Sequence, residues 1–179
     1  LTEHVNRRAT KHAYVMAKLF EYGVSIQSMA EIVYDQQHKY EERVTMAYSI
    51  EAVNKVLSKR EVLHGLLVAF QLDKLADKGE LDYPLQYLVE EDNGLFGVDE
   101  TLASTVTGVY GSIAASNYGF LDKTKPGIIG VLNDGQKNGG KITTFLDDMI
   151  AAIVASAEGL VAHNISEGHE MVNTVDITK

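Results

Sequence analysis

The sequence predicts an all-α fold, and three observations carry that prediction. The chain of 179 residues contains only two prolines, it has few alternating β-branched runs, and its apolar residues recur at the 3.6-residue spacing of amphipathic helices. With 45% apolar residues it is long enough for one sizeable core and short enough for one domain. The expectation is a single compact domain of about seven helices over residues 1–163. Tightly packed small-residue helices fill its C-terminal half, and the polar, unpatterned residues 164–179 form a flexible tail.

The first helix is expected over residues 10–22, closed by Gly23. A second follows the Ser25 and Ser28 caps, with Ile26, Met29, Ala30 and Val33 on one face. A third, residues 49–57, buries Ile50, Val53 and Leu57. Ser58-Lys59-Arg60-Glu61 then reads as a capping box opening a longer helix that carries Val62, Leu63, Leu66, Leu67 and Phe70 and stops at Gly79. Asp82-Tyr83-Pro84 starts a short helix, with proline in its first turn, that ends before Gly94.

Asp99 is the expected N-cap of a helix over 100–116, with Gly119 its stop. Glu100, Ser104, Thr107, Gly108, Gly111 and Ala115 share one face of it, a stripe of small residues headed by a carboxylate. Pro126 opens a short helix to about residue 133, and a mobile segment covers 134–140. The last strong helix begins at the Thr144-Phe145-Leu146-Asp147 capping box and runs to about residue 163. Asp148 there heads a second small stripe of Ala152, Ala155, Ser156 and Gly159. Packed in parallel, the two stripes would set Glu100 opposite Asp148 across a gap at the short end of the usual range of about 8 to 10 Å.

Composition narrows the chemistry. A formal net charge of -9 opposes general affinity for nucleic acid or an anionic membrane surface, so no nucleic-acid partner is expected. The absence of cysteine excludes disulfides, thiolate zinc sites and cysteine nucleophiles. Residues 1–8 lack the pattern of a secretory signal, and the apolar run 149–157 is about half the roughly 20 residues of a spanning helix. A cytoplasmic protein without a transmembrane segment is therefore expected. No Gly-x-Ser-x-Gly elbow occurs, Ser112 has no histidine nearby, and His38, His64, His163 and His169 show no metal-ligand spacing.

What remains is carboxylate chemistry. A single acid at a helix start is explained by capping and the helix dipole. The doubled pairs Asp99-Glu100 and Asp147-Asp148, together with Asp122, exceed that need and suit a hard divalent cation, whose natural ligand beside lysine and glycine is a phosphate ester. Residues 122–126 read equally well as a solvated turn with an internal ion pair, or as Asp122 on the metal and Lys125 on a phosphate oxygen. Gly139, Gly140 and Lys141 form either a plain loop or a phosphate cradle without P-loop spacing. The candidate metal ligands are Glu100, Asp122, Asp147 and Asp148. The catalytic candidates are Asp99, Glu100 and Lys125, with Asp99 the alternative general base, and the candidate substrate contacts are Lys125, Gly139, Gly140 and Lys141.

Over residues 98–162 these motifs, Asp99-Glu100, Leu121-Asp122 with Lys125-Pro126, Gly139-Gly140 and Leu146-Asp147-Asp148 before a small-residue helix, resemble the phosphatidylglycerophosphatase A family. The whole chain looks like its soluble YutG-like branch. The resemblance implies a Mg²⁺-dependent phosphatase that removes the terminal phosphate of phosphatidylglycerophosphate, a membrane phospholipid met peripherally at the inner face of the cell membrane. Two alternatives stand beside it: an all-α nucleotide pyrophosphohydrolase, and a non-catalytic helical protein that binds metal or a phosphorylated ligand on the same scaffold. The small-residue stripes serve a homo-oligomer or an intramolecular core equally well.

Overall fold

The computed structural model describes residues 2–92, 94 and 96–168, with side chains described from Thr10 onward. The described residues hold helices and no strand: α1 (Thr2–Glu21), α2 (Ile26–Gln37), α3 (Met46–Leu57), α4 (Arg60–Asp77), α5 (Leu85–Glu90), α6 (Val98–Thr107), α7 (Gly111–Thr124), α8 (Ile128–Lys137) and α9 (Leu146–Ser166). The all-α class is as expected, with more helices than the sequence suggested. From His169 the expected tail lies outside the described residues. Residues 164–166 belong to α9, and Asn164 Nδ2 donates to the Tyr48 hydroxyl at 2.8 Å.

α9 is the hub, packed against α2, α3, α4, α6, α7 and α8, while α1 and α5 lie on α4. Every residue from Leu146 to Gly159 is buried, because apart from Asp147, Asp148 and Glu158 this stretch is apolar or small on all sides. At 21 residues α9 is as long as a membrane span, longer than the run 149–157 suggested, but here its apolar surface is enclosed by other helices.

Several local expectations hold. Ser25 and Ser28 form a reciprocal box at α2, Ser28 N donating to Ser25 Oγ at 2.9 Å and Ser25 N to Ser28 Oγ at 3.0 Å. Gly79, at φ +67°, ends α4 as read. Others are corrected. α3 starts a turn early because Thr45 Oγ1 accepts from Tyr48 N. The box read at residues 58–61 does not form, since Glu61 pairs with Arg60 at 2.7 Å instead of reaching back to the cap. The single helix expected over 100–116 is two. α6 ends at Thr107, and α7 begins at Gly111, whose φ of +81° breaks the helical path at a position glycine accepts freely. α7 then runs through Gly119 to Thr124, and α8 takes in residues 134–137 of the segment expected to be mobile.

The capping box read at Thr144 is also replaced. Thr144 Oγ1 donates to the Val89 carbonyl at 2.7 Å, and the first amides of α9 are capped from another helix. Asp73 of α4, fully buried, accepts from Phe145 N at 3.0 Å and Leu146 N at 2.9 Å. Burial raises its pKa, while those two amides pull the other way. Asp147 and Asp148 are thereby released from capping.

Deeper along α9, Glu158 is buried against α7. Asn117 Nδ2 donates to its Oε2 at 2.7 Å, and its Oε1 has no partner. Burial pushes its pKa from 4.5 up to about 7, so the folded state holds this proton more tightly than the unfolded chain does. Stability from this group is therefore full below pH 4.5 and falls as pH rises toward 7. Glu158→Gln is expected to flatten that dependence and to gain about 1–2 kcal/mol at pH 8, read from urea melts at pH 5 and pH 8.

Candidate metal and phosphate site

Three helix ends meet beside the start of α9. The first turn of α6 supplies Asp99 and Glu100, the last turn of α7 supplies Asp122 and Lys123, and the first turn of α9 supplies Asp147 and Asp148. Lys125 closes α7 in the left-handed region at φ +45°. That turn brings its side chain back across α9. Gly130 makes room for the backbone of that turn, because a Cβ there would lie 2.4 Å from the Lys125 carbonyl oxygen. Gly130→Ala is expected to cost about 1–3 kcal/mol in thermal or urea melts and to disturb the ion pairs of Lys125.

One carboxylate oxygen each from Asp99, Glu100 and Asp148 lies within 4.8 Å of the other two. The meeting of Glu100 with Asp148 is the one the two stripes suggested, although α6 reaches it as a separate short helix. Asp99 and Asp148 are buried, and Glu100 Oε2 is buried with no hydrogen-bond partner. A desolvated, unpaired carboxylate oxygen is costly, and an all-oxygen cluster of this kind fits a hard divalent cation. Asp99 is not the N-cap of α6, which is Gly97; its Oδ1 accepts from the neighbouring Glu100 N at 3.0 Å.

Lys125 ties the other acids together. Its Nζ lies 2.7 Å from Asp122 Oδ1, 2.8 Å from Asp147 Oδ2 and 3.2 Å from Asp148 Oδ1. Burial works to neutralise this lysine, but attraction to Asp147 and Asp148 wins and holds its pKa above the ordinary value. Burial raises Asp147 to about 6 even against the pull of Lys125. Asp148 is raised further, by burial and by Asp147 beside it, and Asp99 is raised by burial and by Glu100. Asp122 goes the other way: Lys125 holds it below the usual range despite burial. Tyr118, also buried, has its hydroxyl raised by burial and by Asp148 and Asp122.

The acids open onto a cleft of about 420 Å³ whose walls also include Asp92, Lys123, Asn133 and Lys137. Of the residues read from sequence, Asp99, Glu100, Asp122, Lys125 and Asp148 line it, and Asp147 sits behind them against Lys125. Gly139, Gly140 and Lys141 are not brought here. Gly139 N bonds Gln136 O and Gly140 N bonds Gly135 O, closing α8, so those amides are engaged in a helix end. Lys141 Nζ lies over the Tyr22 ring, 4.9 Å from its centroid, in a different cleft.

Sequence reading passed over Asp92 and Lys137, and gave Lys123 and Asn133 no role. Asn133 and Lys137 are an i, i+4 pair on α8, legible only once residues 134–137 are known to be helical. Asp92 follows α5 at φ +45° and has no sequence signal linking it to the cluster.

Comparison with known proteins agrees with the motifs. Residues 15–163 match the model of the phosphatidylglycerophosphatase A family. The uncharacterized protein YutG of Bacillus subtilis (strain 168) is 44% identical over 151 residues, covering 84% of this chain and 90% of that protein. Among solved structures, the low temperature requirement C protein from Listeria monocytogenes superposes with a TM-score of 0.83 at 43% identity, over 87% of this chain and 97% of that one. A protein of unknown function from Bacillus stearothermophilus superposes with a TM-score of 0.81 at 50% identity, over 86% and 94% of the two chains.

Proposed function

The chain belongs to the phosphatidylglycerophosphatase A family, and from that premise we propose that it is a Mg²⁺-dependent phosphatase acting on phosphatidylglycerophosphate or a related phosphomonoester. The observation that carries the reading is the unpartnered, buried Glu100 Oε2, set among three converging carboxylates at the head of a lysine-walled cleft. Carboxylates alone would repel a phosphate. Glu100 and Asp148, with Asp99 beside them, would hold a cation there, which would offset that repulsion. When bound, Mg²⁺ supplies Lewis-acid polarisation of the phosphoryl group and lowers the pKa of water.

The chain's own residues do the rest. Lys123 and Lys137 draw the phosphate to the cleft mouth, and Lys125 presents a permanent positive charge within it. Asp122 and Asp147 hold the Lys125 ammonium in place. Asp99, whose carboxyl is pushed toward neutral pH, takes the proton of the attacking water. The substrate is met peripherally at a membrane surface, since α9, the described helix with the length and apolarity of a span, is enclosed by other helices.

Phosphate release from phosphatidylglycerophosphate in detergent micelles, with Mg²⁺ and with chelator, tests this directly; glycerol 3-phosphate serves as a soluble ester. Release that scales with protein and stops in chelator is expected. No release from either ester with Mg²⁺ present would sink the proposal.

A further inference from the structure

A second cleft, of about 500 Å³, lies between α1, α4 and Lys141, and it shares no wall residue with the acidic one. Its size is that of a whole small-ligand pocket. Its floor is aromatic: Tyr22 stacks on Phe70 with ring centroids 5.9 Å apart and planes inclined by 17°, and Tyr14 stands half exposed at the edge. Its rim is cationic. Lys18, Lys74 and Lys141 all bear on Glu21 and hold its carboxylate below the usual range, chiefly through the hydrogen bond from Lys18.

The charges are unevenly satisfied. Lys18 is taken by Glu21 at 2.6 Å, and Asp77 accepts the Ile142 amide at 3.2 Å. Lys141 faces the Tyr22 ring, and among the described residues no carboxylate pairs with it or with Lys74. Lys141 thus stands over the Tyr22 ring and Lys74 lines the same cleft, both drawn toward Glu21 without an ion pair to a carboxylate among the described residues. The Tyr22 hydroxyl keeps its proton throughout the physiological range, being pushed up to about 12 by burial and by Asp73 and Asp77, so it too is a donor.

We propose that this cleft binds a small phosphate ester carrying a flat ring, of the nucleotide class, with Lys74 and Lys141 on the phosphate and the ring against the half-exposed Tyr14. Lysine serves phosphate as a point charge, and an aromatic face accepts any base by stacking. The overall charge of -9 selects a single small anion over a polyanion.

Isothermal titration with adenosine monophosphate, in chelator so that the acidic cleft is inactive, tests the site. Saturable one-to-one binding is expected. It should weaken about tenfold or more in Lys74→Gln/Lys141→Gln, whose fold circular dichroism verifies, and persist in Asp148→Asn. Adenosine and inorganic phosphate, each offering half of the contacts, should bind more weakly than the nucleotide. The proposal is overturned by no saturable binding, by binding that the double variant keeps, by binding lost in Asp148→Asn, or by inorganic phosphate binding as tightly as the nucleotide. Because the acidic cleft is silent in chelator, any of these failures leaves the phosphatase reading standing or falling on its own assay.

Discussion

Asp148→Asn is expected to abolish Mg²⁺-dependent phosphate release, a loss on the order of 10³-fold, while the protein stays folded. The reasoning starts from protonation. Buried beside Asp147, Asp148 has its pKa raised above the ordinary carboxylate range, so without metal it holds a proton more readily than an exposed acid and asparagine replaces it closely in size. Thermal stability in chelator should thus change little. With Mg²⁺ the two proteins part, because the wild type can release the proton to the cation's advantage and asparagine cannot become an anion. The wild type should gain stability with added Mg²⁺ and the variant should not. Affinity for Mg²⁺ should rise with pH from about 7 upward, as the raised carboxyls of Asp99 and Asp148 ionise. Asp147→Asn is the control: that side chain holds Lys125 and lies outside the three-carboxylate group, so a loss of about 10- to 100-fold is expected. Equal losses in the two variants would refute this division of roles.

Asp73→Ala is expected to destabilise the protein by about 3–5 kcal/mol and to remove activity even though Asp73 touches no substrate. The substitution strands the Phe145 and Leu146 amides, both buried, at about 1–3 kcal/mol each, and opens a void in the core. Asp73→Asn should fall between, since its oxygen satisfies one amide while its NH₂ faces the other. Urea melts measure the first effect. Mg²⁺-induced stabilisation of whatever folded protein remains measures the second, because the uncapped first turn of α9 carries Asp147 and Asp148. A variant with wild-type stability would show that the cap is held by other groups.

Much of this protein is legible along the chain. The all-α class follows from period and composition, and the helix ends at Ser25 and Gly79 follow from local chemistry that needs no partner. The acids were legible too, because doubling at Asp99-Glu100 and Asp147-Asp148 exceeds what capping needs. Local rules failed where a distant residue supplied the same service better. The Thr144 box lost to Asp73, 72 and 73 positions away along the chain in its two bonds, and the Thr144 hydroxyl was drawn to Val89. Lys141 reads as a neighbour of the acids, yet the closing turn of α8 sends it to Tyr22.

The sequence by itself determined which helices can form, which of them must be buried, and that carboxylates outnumber the basic groups and no thiol is present. Those are properties of short stretches, set by periodicity, turn residues and side-chain chemistry. Only the tertiary structure decided that Asp99, Glu100 and Asp148 share one point while Asp122 and Asp147 hold Lys125. That choice depends on the break at Gly111, the left-handed turn at Lys125 and the room left by Gly130, which set where helix ends meet and have no local signature in the acids themselves.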